Sequence, residues 1–280
     1  MEFTPATKVV GLMGHPVAHS LSPSLHNHLY SSLGIDMVYH AFDVQPNQVE
    51  AAVNGFRALG FAGFNVTIPY KEVVYGLLQY IDDDARVMGA VNTIKMENGK
   101  LIGYNTDGQG FLQSLKQSGI SVYGKKVIIL GAGGAARSIG IAAAGEKPES
   151  ITIVNRTFQR AEALVDTINH YKKKKLVRAA QKIPNDADII INATRLGMWP
   201  NIEGNPLKGY TLDKHTVVCD IVYNPRETAM LQYAKSQSCR TKGGLDMLIG
   251  QGLRAVEIWI ERPLPTSAWQ IMIDAANQRQ

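Results

Sequence analysis

Residues 131 to 137 read Gly-Ala-Gly-Gly-Ala-Ala-Arg and follow the apolar run Val127-Ile128-Ile129-Leu130. The spacing Gly131-x-Gly133-x-x-Ala136 is the one a backbone uses to approach a diphosphate. Gly131 permits a tight turn out of a strand, Gly133 leaves room for the anion against the main chain, and Ala136 lets the next helix lie close to its strand. Ala132, Gly134 and Ala135 complete the turn. The free N–H groups and positive dipole end of that helix then face the anion. Asn155 and Arg156 lie 24 and 25 residues beyond Gly131, at the start of the stretch Asn155-Arg156-Thr157-Phe158-Gln159-Arg160. A dinucleotide with a free adenosine ribose usually meets an acid at about this distance, roughly 20 residues on, where a carboxylate bonds the hydroxyls. Arg156 reverses the preference, because a guanidinium stays charged, pairs with phosphate through two hydrogen bonds and stacks on adenine. Asn155 and Thr157 add neutral partners, and Arg160 follows one turn later. The chemistry expected here is binding of a 2′-phosphorylated dinucleotide, NADP rather than NAD.

Such a site needs a strand, a turn and a helix, and the flanking pattern supplies them. Apolar strand patterns at 126–130, 150–157, 176–180, 187–194, 216–224 and 239–244 alternate with helical ones at 134–145 and 158–173. Alternation of this kind implies parallel strands and crossover helices. The expected second domain, over 107–246, is a Rossmann-like doubly wound parallel sheet. The first, over 1–106, is an α/β domain. It has strand patterns at 9–14, 38–44 and 61–68, and helices at 49–60 and 70–81. A helix opened by Ser22-Pro23, with Ser22 as its cap, closes at Gly34. Asn98-Gly99 joins two short strands as a hairpin. An amphipathic helix over 107–119 looks like a bridge. Two helices within 247–280 are expected to pack back onto the first domain.

Composition narrows the function further. A chain of 280 residues suits two domains. The charge of +5 suits small acidic ligands. Lys172 to Lys175 read as a solvated helix end, since no aromatic residues interleave, so no nucleic-acid partner is expected. The apolar runs fall far short of a membrane span. The N-terminal residues lack the pattern of a secretion signal. The two cysteines, Cys219 and Cys239, form no CxxC pair, which disfavours a disulfide framework or zinc site and fits the cytoplasm. His15, His19, His26 and His28 have no carboxylate at ligand spacing and read as packing or surface residues, and no metal is expected. A monomer or homodimer with a small-molecule substrate is the resulting picture.

Polar residues also gather at predicted strand ends, in HPVAHSLSPSLHN (15–27), NVTIPYK (65–71), GAVNT (89–93) and GYNTDGQG (103–110). Together with GAGGAAR, NRTFQR, INATRLGM (191–198), DIVYNP (220–225) and GGLDMLIGQG (243–252), these stretches resemble, in order and over almost the whole chain, the shikimate dehydrogenase family. The resemblance implies reversible, NADPH-dependent reduction of 3-dehydroshikimate to shikimate, a step toward chorismate and the aromatic amino acids. It makes Ser20 and Ser22 a carboxylate clamp assisted by Tyr223. Lys71 and Asp107 become the catalytic pair, with either one the carrier of the mobile proton. Asn65, Thr67, Asn92 and Gln251 become contacts to ring hydroxyls. Thr194 and Met198 would lie beside the nicotinamide, and Gly244 also joins the cofactor set. Family members often carry Ser-Pro or Ser-x after NAT, where this chain has Arg195-Leu196. Arg195 either adds to the cofactor phosphate contacts or faces solvent. A quinate/shikimate dehydrogenase using NAD is the enzymatic rival, and Arg156 argues against it. A non-catalytic NADP-binding regulator is the rival of another class, and retention of Lys71 and Asp107 argues against that.

Overall fold

The structure, a computed structural model, describes residues 3–278. The chain divides into two compact units, Met1–Thr106 with Ile249–Gln280, and Asp107–Leu248.

The first unit is built on β1 (Lys8–Gly14), α1 (Ser22–Leu33), β2 (Met37–Asp43), a short 3-10 turn (Pro46–Gln48), α2 (Val49–Ala58), β3 (Gly63–Val66), α3 (Lys71–Leu77), β4 (Tyr80–Ile81), α4 (Asp83–Met88), β5 (Thr93–Glu97) and β6 (Lys100–Tyr104). These strands form a mixed sheet in the order β2-β1-β3-β5-β6-β4. β1 runs parallel to β2 and β3, whereas β5 is antiparallel to β3 and β6. The β5–β6 hairpin turns through Asn98 and Gly99 at φ 49° and 73°. Both angles are left-handed, as a two-residue primed turn requires, and Asn-Gly accepts them most readily. Phe56 packs tilted against both Phe61 and Phe64, with ring centroids 4.8 Å apart in each pair, in a core that includes Met13, Tyr70 and Ile94. Two expectations need correcting. The helix expected over 70–81 ends at Leu77, and the chain continues as the short strand β4. Ser22 is the first residue of α1 rather than its cap. Leu21 takes the cap position, and Ser20 Oγ accepts the Ser22 N–H at 3.2 Å. Pro23 already supplies the helical φ of the first turn, so the helix starts without a side-chain cap.

The second unit comprises α5 (Asp107–Gln117), β7 (Lys126–Leu130), α6 (Gly134–Gly145), β8 (Ser150–Val154), α7 (Phe158–Lys172), β9 (Val177–Ala180), β10 (Ile189–Asn192), β11 (Val217–Asp220), α8 (Ala229–Ser236) and β12 (Arg240–Lys242). Its sheet is parallel throughout, in the order β12-β11-β10-β7-β8-β9. This is the doubly wound order, with the direction of winding reversing between β7 and β10. The bridging helix α5 packs on α6, and a Cβ at Gly108 would overlap Ser138 O. Lys172 to Lys175 close α7, where cations suit the negative end of the helix dipole.

The last two helices are α9 (Leu245–Ile260) and α10 (Ala268–Asn277). From Ile249 onward they belong to the first unit. Trp259 Nε1 donates to Ile94 O at 2.9 Å, and its ring occupies the space that a side chain at Gly63 would need. α10 packs against α1. His26 is buried under this layer, stacked on Tyr39 at a centroid distance of 4.2 Å. Burial pulls its imidazole down to about 3 from 6.5, so the ring is neutral in the fold. Between those values the unfolded chain binds one more proton, and stability therefore falls as pH drops from about 6.5 toward 3. Urea titrations from pH 7 to pH 4 are expected to lose up to about 1.4 kcal/mol per pH unit from this group, and a His26→Phe variant is expected to flatten the slope. An equal slope in that variant would remove His26 as the cause.

Candidate active site

In the first unit the candidate residues meet at the C-terminal ends of β1 and β3, where open α/β sheets bind ligands. β3 delivers Asn65, buried at 4% exposure, the loop after it carries Thr67, and Lys71 opens α3. Thr67 sits over Gly14, where any side chain at residue 14 would collide with it, and Thr67 N–H donates to Met13 O at 2.9 Å. The Lys71 carbonyl accepts the Val91 N–H at 3.1 Å, which fixes the start of α3 one residue from Asn92.

Asn92 is the centre of a buried polar cluster. Its Oδ1 accepts the Thr106 N–H at 2.8 Å and the Thr93 hydroxyl at 3.0 Å. Its Nδ2 donates to Thr106 Oγ1 at 3.0 Å and to Gln251 Oε1 at 3.4 Å. α9 thus brings Gln251 to Asn92 across 159 residues of sequence. Because Thr106 directly precedes Asp107, the same amide also fixes the chain leading into α5. Asn65 is likewise hydrogen-bonded at both ends of its amide. Its two N–H donors go to Asn92 O and Thr93 Oγ1, both at 3.0 Å, and its Oδ1 accepts the Tyr39 hydroxyl at 2.8 Å. An incoming hydroxyl group therefore finds no free donor on Asn65, only its carbonyl oxygen. Ser22 is buried and Ser20 half-buried at the start of α1. His15 has a carboxylate partner that its sequence spacing concealed, since its Nδ1 lies 2.6 Å from Asp43 Oδ1, 28 residues away. Tyr39, Thr93 and Thr106 were not singled out from the sequence. All three lie within or beside strands, where hydroxyl residues are unremarkable.

In the second unit the glycine turn lies at the switch point. Gly131 has φ 110°, and a Cβ there would lie 3.0 Å from Thr194 Cγ2 and 3.1 Å from Ala193 O, so both backbone angle and space require glycine. Gly133 caps the N-terminus of α6, and neither it nor Gly134 has a protein atom within 4 Å of a would-be Cβ. Their small size is not demanded by the protein's own packing, which leaves the main-chain N–H groups open to a ligand, as a pyrophosphate requires. Ala136 is fully buried where α6 meets the sheet. At the end of β8, Asn155 Nδ2 donates to Thr157 O at 2.8 Å, while Arg156, Thr157 and Arg160 are exposed around it. No acid stands among residues 155–160 to repel a 2′-phosphate.

A second buried cluster holds the loops after β10 and β11. Asn192 Oδ1 accepts the Thr194 N–H at 3.1 Å and its hydroxyl at 2.6 Å, and Asn192 Nδ2 donates to Asp220 Oδ1 at 3.0 Å. Asp220 also accepts the Val222 N–H at 3.0 Å and the Thr228 hydroxyl at 2.7 Å. Burial pushes the Asp220 carboxyl up despite these donors. Asn192, Asp220 and Thr228 were not singled out either, although a polar residue closing IIIN or VVCD is a visible signal. This cluster positions Thr194 on one loop and Tyr223 on the other. Burial pushes the Tyr223 phenol up, so at neutral pH it keeps its proton. Met198 is 37% exposed, which rules out core filling as its role, and Arg195 is exposed beside it. Gly244 is buried with its backbone against Ile221 and Val222, at the start of α9. Asp107, 7% exposed, opens α5. Among the described residues, no group of three or more His, Cys, Asp or Glu side chains is arranged to hold a metal ion, and no helix is long and apolar enough to cross a membrane.

Comparison with known proteins gives the same picture from outside. Residues 12–94 match the shikimate dehydrogenase substrate binding domain, and residues 113–229 match the shikimate / quinate 5-dehydrogenase family. The chain is 44% identical over 263 residues to the shikimate dehydrogenase (NADP(+)) of Caldanaerobacter subterraneus, covering 92% of this chain and 94% of that one. It is 47% identical over 259 residues to that of Methanocaldococcus jannaschii, covering 90% and 91%. A solved shikimate dehydrogenase in complex with NADP+ superposes with a TM-score of 0.92 at 43% identity, covering 99% of this chain and 97% of that one. Sequence and architecture agree over nearly the full length, and the chain belongs to the shikimate dehydrogenase family.

Proposed function

We propose that the protein is an NADP-dependent oxidoreductase acting on a CH–OH group, which reduces 3-dehydroshikimate to shikimate and runs the reverse reaction, on the route to chorismate and the aromatic amino acids. The observation that carries this reading is the second unit's switch point, where Gly131 and Gly133 open α6 and Arg156 closes β8 with no acid beside it. Relatives named for NADP(+) at 44% and 47% identity support the same cofactor.

In this reading residues 131–135 hold the pyrophosphate. Asn155, Arg156, Thr157 and Arg160 hold the 2′-phosphate, with Thr194, Met198 and Gly244 on the nicotinamide side. When bound, the reduced nicotinamide supplies a hydride to the ketone carbon. The ketone oxygen then carries negative charge and needs one proton, which the Lys71 ammonium donates while its charge stabilises the developing oxyanion. Asp107 orients that lysine and shares the proton traffic, and in oxidation the pair removes the hydroxyl proton. Ser20, Ser22 and Tyr223 offer three hydroxyls to the substrate carboxylate. Thr67, Asn92, Gln251 and the Asn65 carbonyl take the ring hydroxyls. The two cysteines are free and buried, and unpaired thiols suit a reducing compartment, the cytoplasm.

Purified protein mixed with NADPH and 3-dehydroshikimate is expected to consume the reduced nicotinamide absorbance, and to do so faster than with NADH. Quinate with NAD or NADP, run alongside, is expected to react poorly. No loss of absorbance with 3-dehydroshikimate would overturn the reading.

A further inference from the structure

Thr93 has no place in the function above, yet its hydroxyl joins two of the proposed ring contacts. It opens β5, is fully buried and lies directly opposite Asn65 of β3 in the antiparallel pair. Residues paired in this way hold their side chains on one face of the sheet. Thr93 Oγ1 accepts an N–H from Asn65 Nδ2 at 3.0 Å and donates to Asn92 Oδ1, also at 3.0 Å. The Thr106 hydroxyl lies further off, at 3.4 Å.

Proton counting gives this link a direction, because backbone groups fix both amides. The main-chain carbonyl of Asn92 only accepts, so it holds Asn65 by Nδ2, at 3.0 Å. The main-chain N–H of Thr106 only donates, so it holds Asn92 by Oδ1, at 2.8 Å. Between a fixed donor and a fixed acceptor, the joining group must accept and donate at once. A hydroxyl does both, and an apolar side chain of the same shape does neither. The chain of bonds continues at each end. The Tyr39 hydroxyl donates to Asn65 Oδ1 at 2.8 Å, and Asn92 Nδ2 donates to Gln251 Oε1 at 3.4 Å. Asn65, Asn92 and Gln251, three proposed ring contacts, thus lie on one buried chain with Thr93 in its middle.

We propose that Thr93 is a positioning residue whose hydroxyl locks the Asn65 and Asn92 amides to one another, and so sets the affinity for the hydroxylated ring. The inference rests on the reading of Asn65 and Asn92 as ring contacts. Removing the hydroxyl leaves one Asn65 N–H buried without its acceptor and takes one donor from Asn92 Oδ1. The two amides are then no longer held together, and the ligand has to order them as it binds. Cofactor binding uses other residues and is untouched. The hydroxyl and the methyl group of Thr93 have separable consequences. A role confined to packing follows the methyl group, whereas positioning follows the hydroxyl.

The test is calorimetric titration of shikimate into the full-length wild type, Thr93→Val, Thr93→Ala and Thr93→Ser, with Tm and NADPH affinity measured for each. Thr93→Val keeps the shape and loses the hydroxyl. It is expected to bind shikimate about tenfold more weakly, the equivalent of one hydrogen bond, with NADPH affinity held within about twofold. Thr93→Ser keeps the hydroxyl and loses the methyl group. It is expected to lower Tm through the cavity it leaves, yet to bind shikimate within about threefold of the wild type. Thr93→Ala supplies a second reading of the hydroxyl if Thr93→Val does not fold. In an Asn65→Ala background, Thr93→Val is expected to cost less than about threefold, since the link already lacks one end. Wild-type affinity without the hydroxyl, equal weakening by Thr93→Ser, or an undiminished loss in the Asn65→Ala background overturns the proposal. Shikimate binding unaffected by both Asn65→Ala and Asn92→Ala refutes those assignments and the proposal with them. No shikimate binding by the wild type refutes the functional reading on which all of these stand.

Discussion

Replacing Lys71 by alanine is expected to lower kcat by about 10²- to 10⁴-fold, the range a positioned acid–base group contributes. KM for NADPH should move by less than about threefold, because the cofactor set lies elsewhere and loses nothing in the ground state. The size follows from the chemistry assigned to the side chain. Hydride addition leaves an alkoxide on the former ketone oxygen, and without the ammonium neither its charge nor its proton demand is met. Lys71→Arg separates the two contributions. A guanidinium keeps the positive charge but does not release a proton at neutral pH, so partial recovery would assign that share to electrostatics. Fluorescence titration of NADPH into Lys71→Ala checks that the cofactor site survives. Near-normal turnover in that variant would remove Lys71 from the mechanism.

Arg156→Asp is expected to raise KM for NADPH by about 100-fold or more and to change KM for NADH by less than about threefold, since a lost charge-assisted hydrogen bond is compounded by a like-charge contact. The structure gives this prediction a salt dependence. Arg156 is exposed, so its attraction for a 2′-phosphate is screened by ions. The wild-type preference for NADPH over NADH should therefore narrow as ionic strength rises, whereas the preference of Arg156→Asp should respond in the opposite sense. Steady-state rates with both cofactors at low and high salt measure it. An equal rise in both KM values would mean that Arg156 does not meet the phosphate.

The second unit was legible because its information is local. The glycine turn, the strand before it and the helix after it occupy one stretch of chain, and hydrophobic runs bounded by turn residues mark parallel strands without reference to distant partners. The Asn98-Gly99 hairpin was readable for the same reason, since the dipeptide itself accepts the left-handed angles. Errors arose where two local signals competed. Ser22-Pro23 looks like a capped helix start, but the proline sets the first turn by itself and Ser22 enters the helix. Residues 70–81 carry helical periodicity throughout, yet Tyr80 and Ile81 pair with Ile102 and Gly103, and the strand partner outweighs the weak preference for another helical turn.

Sequence by itself determined the alternation of strands and helices, the glycine turn before α6, the cation in place of an acid at the end of β8, and the family to which the motifs point. All of these depend on residue type and near-neighbour spacing, which the chain states directly. Only the tertiary structure decided which polar groups are occupied. It spends both donors of Asn65 on Asn92 and Thr93, brings Gln251 to Asn92, gives His15 its partner Asp43, and assembles Asn192, Asp220 and Thr228 beneath two loops. Those outcomes depend on hydrogen bonds between residues far apart in sequence. A donor buried away from water must find whichever acceptor the packing of the sheet presents.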